Sequence, residues 1–303
     1  MAQKSTFVFA TAVILLLPNL SFAISITPTA SGDDLVNNIL GPGVSLVGVP
    51  TLTGVTNQQG TFTDGLAEVG FSSGIVLSSG NVNEIPGPNT TGPETVGVGL
   101  TGDDDISTNL AQPGDADLTT LAGNTTFDAN VLAFSFQFGD GSIGGDLFFN
   151  FAFASEEYVD FIGSQFNDVF GFFLDGTNIA LLGGVPITVN NINNTSNSAF
   201  YVNNVANTNG IPVAGRDIAF DGLTAVLQAS AMGLAPGEHT ISLKVADTSD
   251  GILDAAVFIQ QGTFSTEPTP TTPIPEPGTI TLLGFGIAGL LITRRFLHTP
   301  PRR

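Results

Sequence analysis

The sequence predicts an all-β fold: an antiparallel β-sandwich, jelly-roll-like, with a short N-terminal helix and a single C-terminal transmembrane helix. Three observations predict it. Several stretches alternate apolar and polar residues with a period of two, which is the pattern of a half-buried strand. The composition favours strands and turns: among 303 residues there are 37 Gly and 24 Phe, but only 2 Met and no Trp. Finally, no amphipathic helix pattern separates the strand-like runs, as a parallel sheet would need.

The elements follow in order. "LVNNIL", after Asp33 and Asp34, places Leu35, Val36, Ile39 and Leu40 at helical spacing, and Gly41-Pro42 stop the helix. "IVLSS" reads as a strand. In "LAFSFQF", Leu132, Phe134, Phe136 and Phe138 share one face, and in "LFFNFAF" so do Leu147, Phe149, Phe151 and Phe153. "VFGFFL" at 169–174 is continuously apolar and reads as a central strand. "LTAVLQASAM" and "HTISLKVAD", joined by "GLAPGE", read as a hairpin, and "DAAVFIQQGTF" as the last strand. The phenylalanines read as packing between two sheets.

The ends are of another kind. Lys4, the apolar run Phe7 to Leu17 and Ser21-Phe22-Ala23 form the three parts of a signal peptide over residues 1–23, with cleavage after Ala23. This predicts export through the Sec machinery and a mature domain over 24–265. Residues 266–274 begin "TEPTPTTP", a Pro/Thr-rich linker that suits neither helix nor sheet. Then Gly278 to Thr293 forms an apolar run of 16 residues. At about 1.5 Å per residue it reaches roughly 24 Å, short of a hydrocarbon core of about 30 Å. Arg294 and Arg295 follow at once and predict a cytoplasmic C-terminus.

Pro275-Glu276-Pro277, the short apolar run and Arg294-Arg295 together resemble the PEP-CTERM sorting signal, here over 275–297. That resemblance implies processing by an exosortase, a membrane peptidase, in a Gram-negative bacterium that makes exopolysaccharide. The middle of the chain resembles the choice-of-anchor L domain, through "GPGV" at 41–44, "GIVLSSG" at 74–80, "FASEEYVDFIGSQFNDVFGFFLDG" at 153–176, "DGLT" at 221–224 and "VADTSDGILDAAVFI" at 245–259. It implies an extracellular surface domain and brings no activity or ligand.

Charge narrows the partners. Of 27 acids and 7 Lys/Arg, all the acids lie between Asp33 and Glu276, while Arg216 and Lys244 are the only Lys/Arg residues in that span. Such a surface repels nucleic acid and anionic lipid. A buried acid here needs a metal ion, a backbone donor or a proton, because cations are missing. The absence of Cys excludes disulfides and thiolate ligands.

Candidate sites follow from that deficit. Asp247, Asp250 and Asp254 sit with Gly251 in a loop between two strands and could supply oxygens to calcium, although the spacing is not that of an EF-hand. Glu156, Glu157 and Asp168, with Asp160 and Asn167, form a second oxygen-rich group, and Asp103-Asp104-Asp105 a third. The competing reading is that such residues cap turns through local hydrogen bonds. Gly70-x-Ser72-x-Gly74 matches a hydrolase elbow in letters, but it lacks the strand–turn–helix setting. The function expected is a non-enzymatic surface or matrix protein, acting in adhesion or biofilm with exopolysaccharide or other surface proteins, with calcium as its cofactor. The alternatives are a carbohydrate-binding module, short of aromatic platforms with Tyr158 and Tyr201 as its only tyrosines, and a secreted hydrolase using carboxylates.

Overall fold

Alternation along the chain becomes two large antiparallel sheets and a separate two-stranded β9–β10 ribbon in the computed structural model, which describes residues 23–89, 106–206 and 213–271. The signal peptide through residue 22, the Asp103–Asp105 run, and the Pro275-Glu276-Pro277 triplet with its apolar run and Arg294-Arg295 lie outside these residues. The strands, in chain order, are β1 (Ser25–Pro28), β2 (Val44–Thr53), β3 (Gln59–Thr63), β4 (Gly74–Ser78), β5 (Thr126–Phe138), β6 (Gly145–Ser155), β7 (Val169–Leu174), β8 (Thr177–Asn178), β9 (Leu181–Leu182), β10 (Val185–Pro186), β11 (Tyr201–Asn203), β12 (Gly222–Thr224), β13 (Leu227–Leu234), β14 (Glu238–Thr248) and β15 (Ala255–Gln260). The helices are α1 (Gly32–Ile39), α2 (Leu66–Val69) and α3 (Ala116–Ala122). Among the described residues, no helix is long and apolar enough to cross a membrane.

One sheet runs β1-β3-β4-β15-β6-β12-β11, with β13 also paired to β6; the other runs β2-β5-β14-β7-β8. Their facing rows share one core. Phe134, Phe136 and Phe138 of β5 and Phe170 and Phe172 of β7 meet Phe149, Phe151 and Phe153 of β6. Ring centroids stand 4.9 Å apart for Phe149–Phe172 and 5.0 Å for both Phe151–Phe172 and Phe153–Phe170. Such pairs add about 0.5–1.5 kcal/mol each beyond burial.

Helix α1 forms as its spacing predicts. Ser31 caps it by accepting the Asp34 N–H at 3.1 Å, and Leu35, Val36 and Ile39 are buried. It ends where Gly41 must lie against the backbone: a Cβ there would stand 2.2 Å from the Gly262 carbonyl oxygen.

Two strand expectations are corrected. The "GLAPGE" segment is not a hairpin turn. β13 pairs with β6 in one sheet and β14 pairs with β5 and β7 in the other, so the segment carries the chain between sheets. Strand β7 is not central either. It has only the two-residue β8 beyond it, and its second face is apolar because α3 covers it, with Leu118 packed on Val169 and Ala246.

The start of the linker is extended and docked. Phe148 and Ser265 exchange backbone hydrogen bonds at 2.9 and 3.0 Å. The Thr269 carbonyl accepts from Asn150 Nδ2 at 3.2 Å and Gln228 Nε2 at 3.0 Å.

Candidate functional site

At one end of the core, the apolar rows turn polar. Ile75 and Leu77 lead to Ser79; Phe149, Phe151 and Phe153 lead to Ser155; Phe172 and Phe170 lead to Asp168; Ile241, Leu243 and Val245 lead to Asp247; Phe136, Phe134 and Leu132 lead to Asn130. Each step is two residues, so alternation keeps the polar residue on the core-facing side. All five are buried, and Asp168 and Asp247 have no exposed surface.

A bulge adds a third carboxylate. Val245 pairs with Asn130, yet Asp247 pairs with Phe127, so Asp128 and Ala129 together oppose Ala246. Asp128 takes φ 49°, and Ser249 and Leu253 nearby take 81° and 61°. Non-glycine residues in this left-handed region carry about 1–3 kcal/mol of strain each, which the surrounding fold must offset. Asp254, the fourth carboxylate, immediately precedes β15, and Gly80 makes room for it. A Cβ on Gly80 would stand 1.6 Å from Asp254 Oδ2.

Donors are shared unequally among these four acids. Asp128 accepts the Leu110 N–H at 2.9 Å and the Gln112 N–H. Asp254 accepts the Thr108 N–H at 3.1 Å on both oxygens. Asp168 accepts from Ser155 Oγ at 2.9 Å and the Thr248 N–H at 3.2 Å. Asp247 is the exception. Ser79 lies near it, but Ser79 Oγ accepts the Ala255 N–H at 2.8 Å and reaches the Ala255 carbonyl at 3.2 Å. The Ser79 hydroxyl is thus the one side-chain donor near Asp247 among the described residues, shared with the Ala255 carbonyl, and neither oxygen of Asp247 makes a hydrogen bond of normal geometry.

No cation offsets this charge from within. Lys244 is engaged with Asp115 at 2.9 Å and Asp117 at 2.6 Å. Arg216 donates to the Glu68 carbonyl, and burial pulls its guanidinium down to about 10. The acids respond accordingly. Burial, then the charges of Asp168 and Asp254, pushes Asp247 well above the usual carboxylate range. Burial, reinforced by Asp254 and Asp250 against the donors named above, does the same to Asp168. Burial raises Asp254 to about 7 even against the Thr108 hydrogen bonds.

The structure thus brings Asp168, Asp247 and Asp254 to one end of the core, with the charge of Asp250 also reaching Asp168. Glu156 and Glu157 follow Ser155 at this same end: the Glu156 N–H donates to the Asp254 carbonyl at 3.0 Å and the Glu157 N–H to Ser155 Oγ at 3.0 Å. They follow β6 in a turn, where Glu156 Oε2 accepts the Asp221 N–H at 3.2 Å and Asp221 accepts from Asn89 Nδ2 at 2.7 Å. Among the described residues, no group of three or more acidic or histidine side chains is arranged to hold a metal ion, so the calcium expectation meets no preformed ligand shell there. Asp128 escaped the sequence reading because it lies in "TFDANVLAF", which reads as plain alternation. The elbow letters are not an elbow: a single helical turn, α2, precedes Gly70 and strand β4 begins at Gly74.

These features define a two-sheet antiparallel β domain with a charged end to its core. Residues 25–265 match the Choice-of-anchor L domain, and the chain belongs to that family. Residues 273–295 match the PEP-CTERM protein-sorting motif, which supports an exported, exosortase-sorted surface protein of the Gram-negative cell envelope. No curated protein and no solved structure matches the chain.

Proposed function

We propose that the chain is a non-enzymatic surface protein whose jelly-roll-like β-sandwich serves adhesion or assembly within an exopolysaccharide or biofilm matrix. The Sec machinery exports it, and the exosortase removes the tail, with the C-terminal apolar run as a temporary transmembrane hold. The observation that carries this reading is the sorting motif at 273–295, directly after the domain match at 25–265. A strongly acidic domain suits a hydrated matrix and stays soluble there. The side chains support a structural role over catalysis. His239, the only histidine of the mature domain, has both ring nitrogens engaged, with Asp175 at 2.7 Å and the Ala235 carbonyl at 2.9 Å. The two tyrosines do not make a sugar-stacking platform: Tyr158 is fully buried, its hydroxyl donating to the Ile192 carbonyl at 2.8 Å, and Tyr201 packs on it at 5.0 Å.

The test is fractionation of cells with and without an active exosortase. With it, the chain is expected in the envelope or matrix, shortened by roughly the mass of the tail. Intact chain in the cytoplasm of exosortase-positive cells would overturn the proposal.

A further inference from the structure

We propose that the acidic end of the core, built by Asp128, Asp168, Asp247 and Asp254, binds a divalent cation of the calcium class, with Asp247 as the ligand that the fold leaves free for it. The proposal rests on surface display only in that the exterior supplies the ion. It goes further by assigning the site, including Asp128, and the division of labour within it.

Two observations carry it. The first is placement: carboxylates from the starts or ends of β5, β7, β14 and β15 reach one end of a single core, while Lys244 and Arg216 are both engaged elsewhere. The second is Asp247 itself. It has no exposed surface, neither oxygen makes a hydrogen bond of normal geometry, with only the shared Ser79 hydroxyl near, and it lies within electrostatic reach of the other three acids. A buried carboxylate with so little hydrogen bonding is costly unless something positive meets it.

The donor chemistry selects the ion. Every available group is a carboxylate, hydroxyl or amide oxygen, Asn130 Oδ1 among them, with no thiol or imidazole, which suits a hard cation. Calcium accepts six to eight oxygens in irregular geometry, whereas magnesium demands a near-ideal octahedron. Because no three side chains converge as ligands in this arrangement, binding must draw them inward. The Ser155 hydroxyl and the N–H groups of Thr248, Thr108, Leu110 and Gln112 orient the other three carboxylates and leave Asp247 to move.

The test is calorimetric titration of the full-length protein with calcium chloride at neutral pH. The wild type is expected to show saturable binding, and Asp247→Asn to weaken it at least tenfold. Asp140→Asn, in the exposed turn after β5, should change nothing. If Asp247→Asn loses the near-ultraviolet dichroism of the wild type, Asp254→Asn, which keeps an oxygen for the Thr108 N–H, carries the test, with a severalfold loss expected. Absence of binding at millimolar calcium overturns the proposal. So does equal binding by the wild type and the variant that carries the test, or a loss of equal size in Asp140→Asn. Cell fractionation does not depend on any of these results, so the surface reading and the site fail separately.

Discussion

Strand β14 begins at one end of the core and finishes at the other, and its two ends treat polar groups in opposite ways. His239, near the start, is packed by Phe136 and Phe138 at 5.6 and 6.0 Å and has a partner on each ring nitrogen. Asp247 lies eight residues on, roughly 26 Å away at about 3.3 Å per residue, and makes no hydrogen bond of normal geometry. The first end is closed by hydrogen bonds made within the chain. The second is surrounded by acids, next to residues in strained backbone. A fold that supplies partners at one end and withholds them at the other leaves that second end to a proton or a cation.

The largest effect belongs to the rows common to both ends. Phe153→Ala should cost about 3–5 kcal/mol in urea unfolding, equally with calcium or EDTA. Next is Gly80→Ala, whose methyl group collides with the Asp254 carboxylate. It should cost about 1–3 kcal/mol by overpacking and also weaken the response to calcium. Asp247→Asn should act with the opposite sign: in EDTA it should stabilise by about 1–2 kcal/mol, because it removes an uncompensated buried charge.

Away from both ends, Asn150→Ala should lose about 1 kcal/mol and speed proteolysis of the linker, since Asn150 holds the Thr269 carbonyl. The smallest effect should be at His239. Burial lowers its affinity for a proton, but the hydrogen bonds to Asp175 and Ala235 and the Asp175 charge outweigh that and raise it overall. The stability gained is therefore full below about pH 6.5, the ordinary histidine value, and is lost as pH rises through the higher folded value. Asp175 is half exposed, so solvent screening keeps the gain under about 1 kcal/mol. His239→Gln should flatten that part of the stability–pH curve.

Much of the fold was legible because alternation is a local property. The apolar rows of β5 and β6 and the helix at 32–39 could be read one segment at a time. Asp168, Asp247 and Asp254 were legible as acids near strand ends without cations to match them. What sequence could not show was set by tertiary register. The bulge that brings in Asp128 exists only in the pairing of β5 with β14. The apparent hairpin was a crossing between sheets, because turn residues serve either connection. "VFGFFL" looked central because α3, seven residues long, covers its outer face; its signals were present in Asp115 as cap, Leu118, Leu121 and Ala122 at helical spacing, and Gly123 as stop. One signal was available and unused: extending each apolar row by two residues lands on Ser79, Ser155, Asp168 and Asp247.

The central claim is that Asp247 is stabilising with an ion and destabilising without one. The most direct test is the melting temperature of the full-length wild type and of Asp247→Asn, each in millimolar calcium and in EDTA. A change of rank is expected: the variant melts higher in EDTA, and the wild type melts higher in calcium, where a ligand at about 100 times its dissociation constant adds roughly 2.7 kcal/mol. The same rank in both conditions, or a calcium shift of equal size in both proteins, would contradict it.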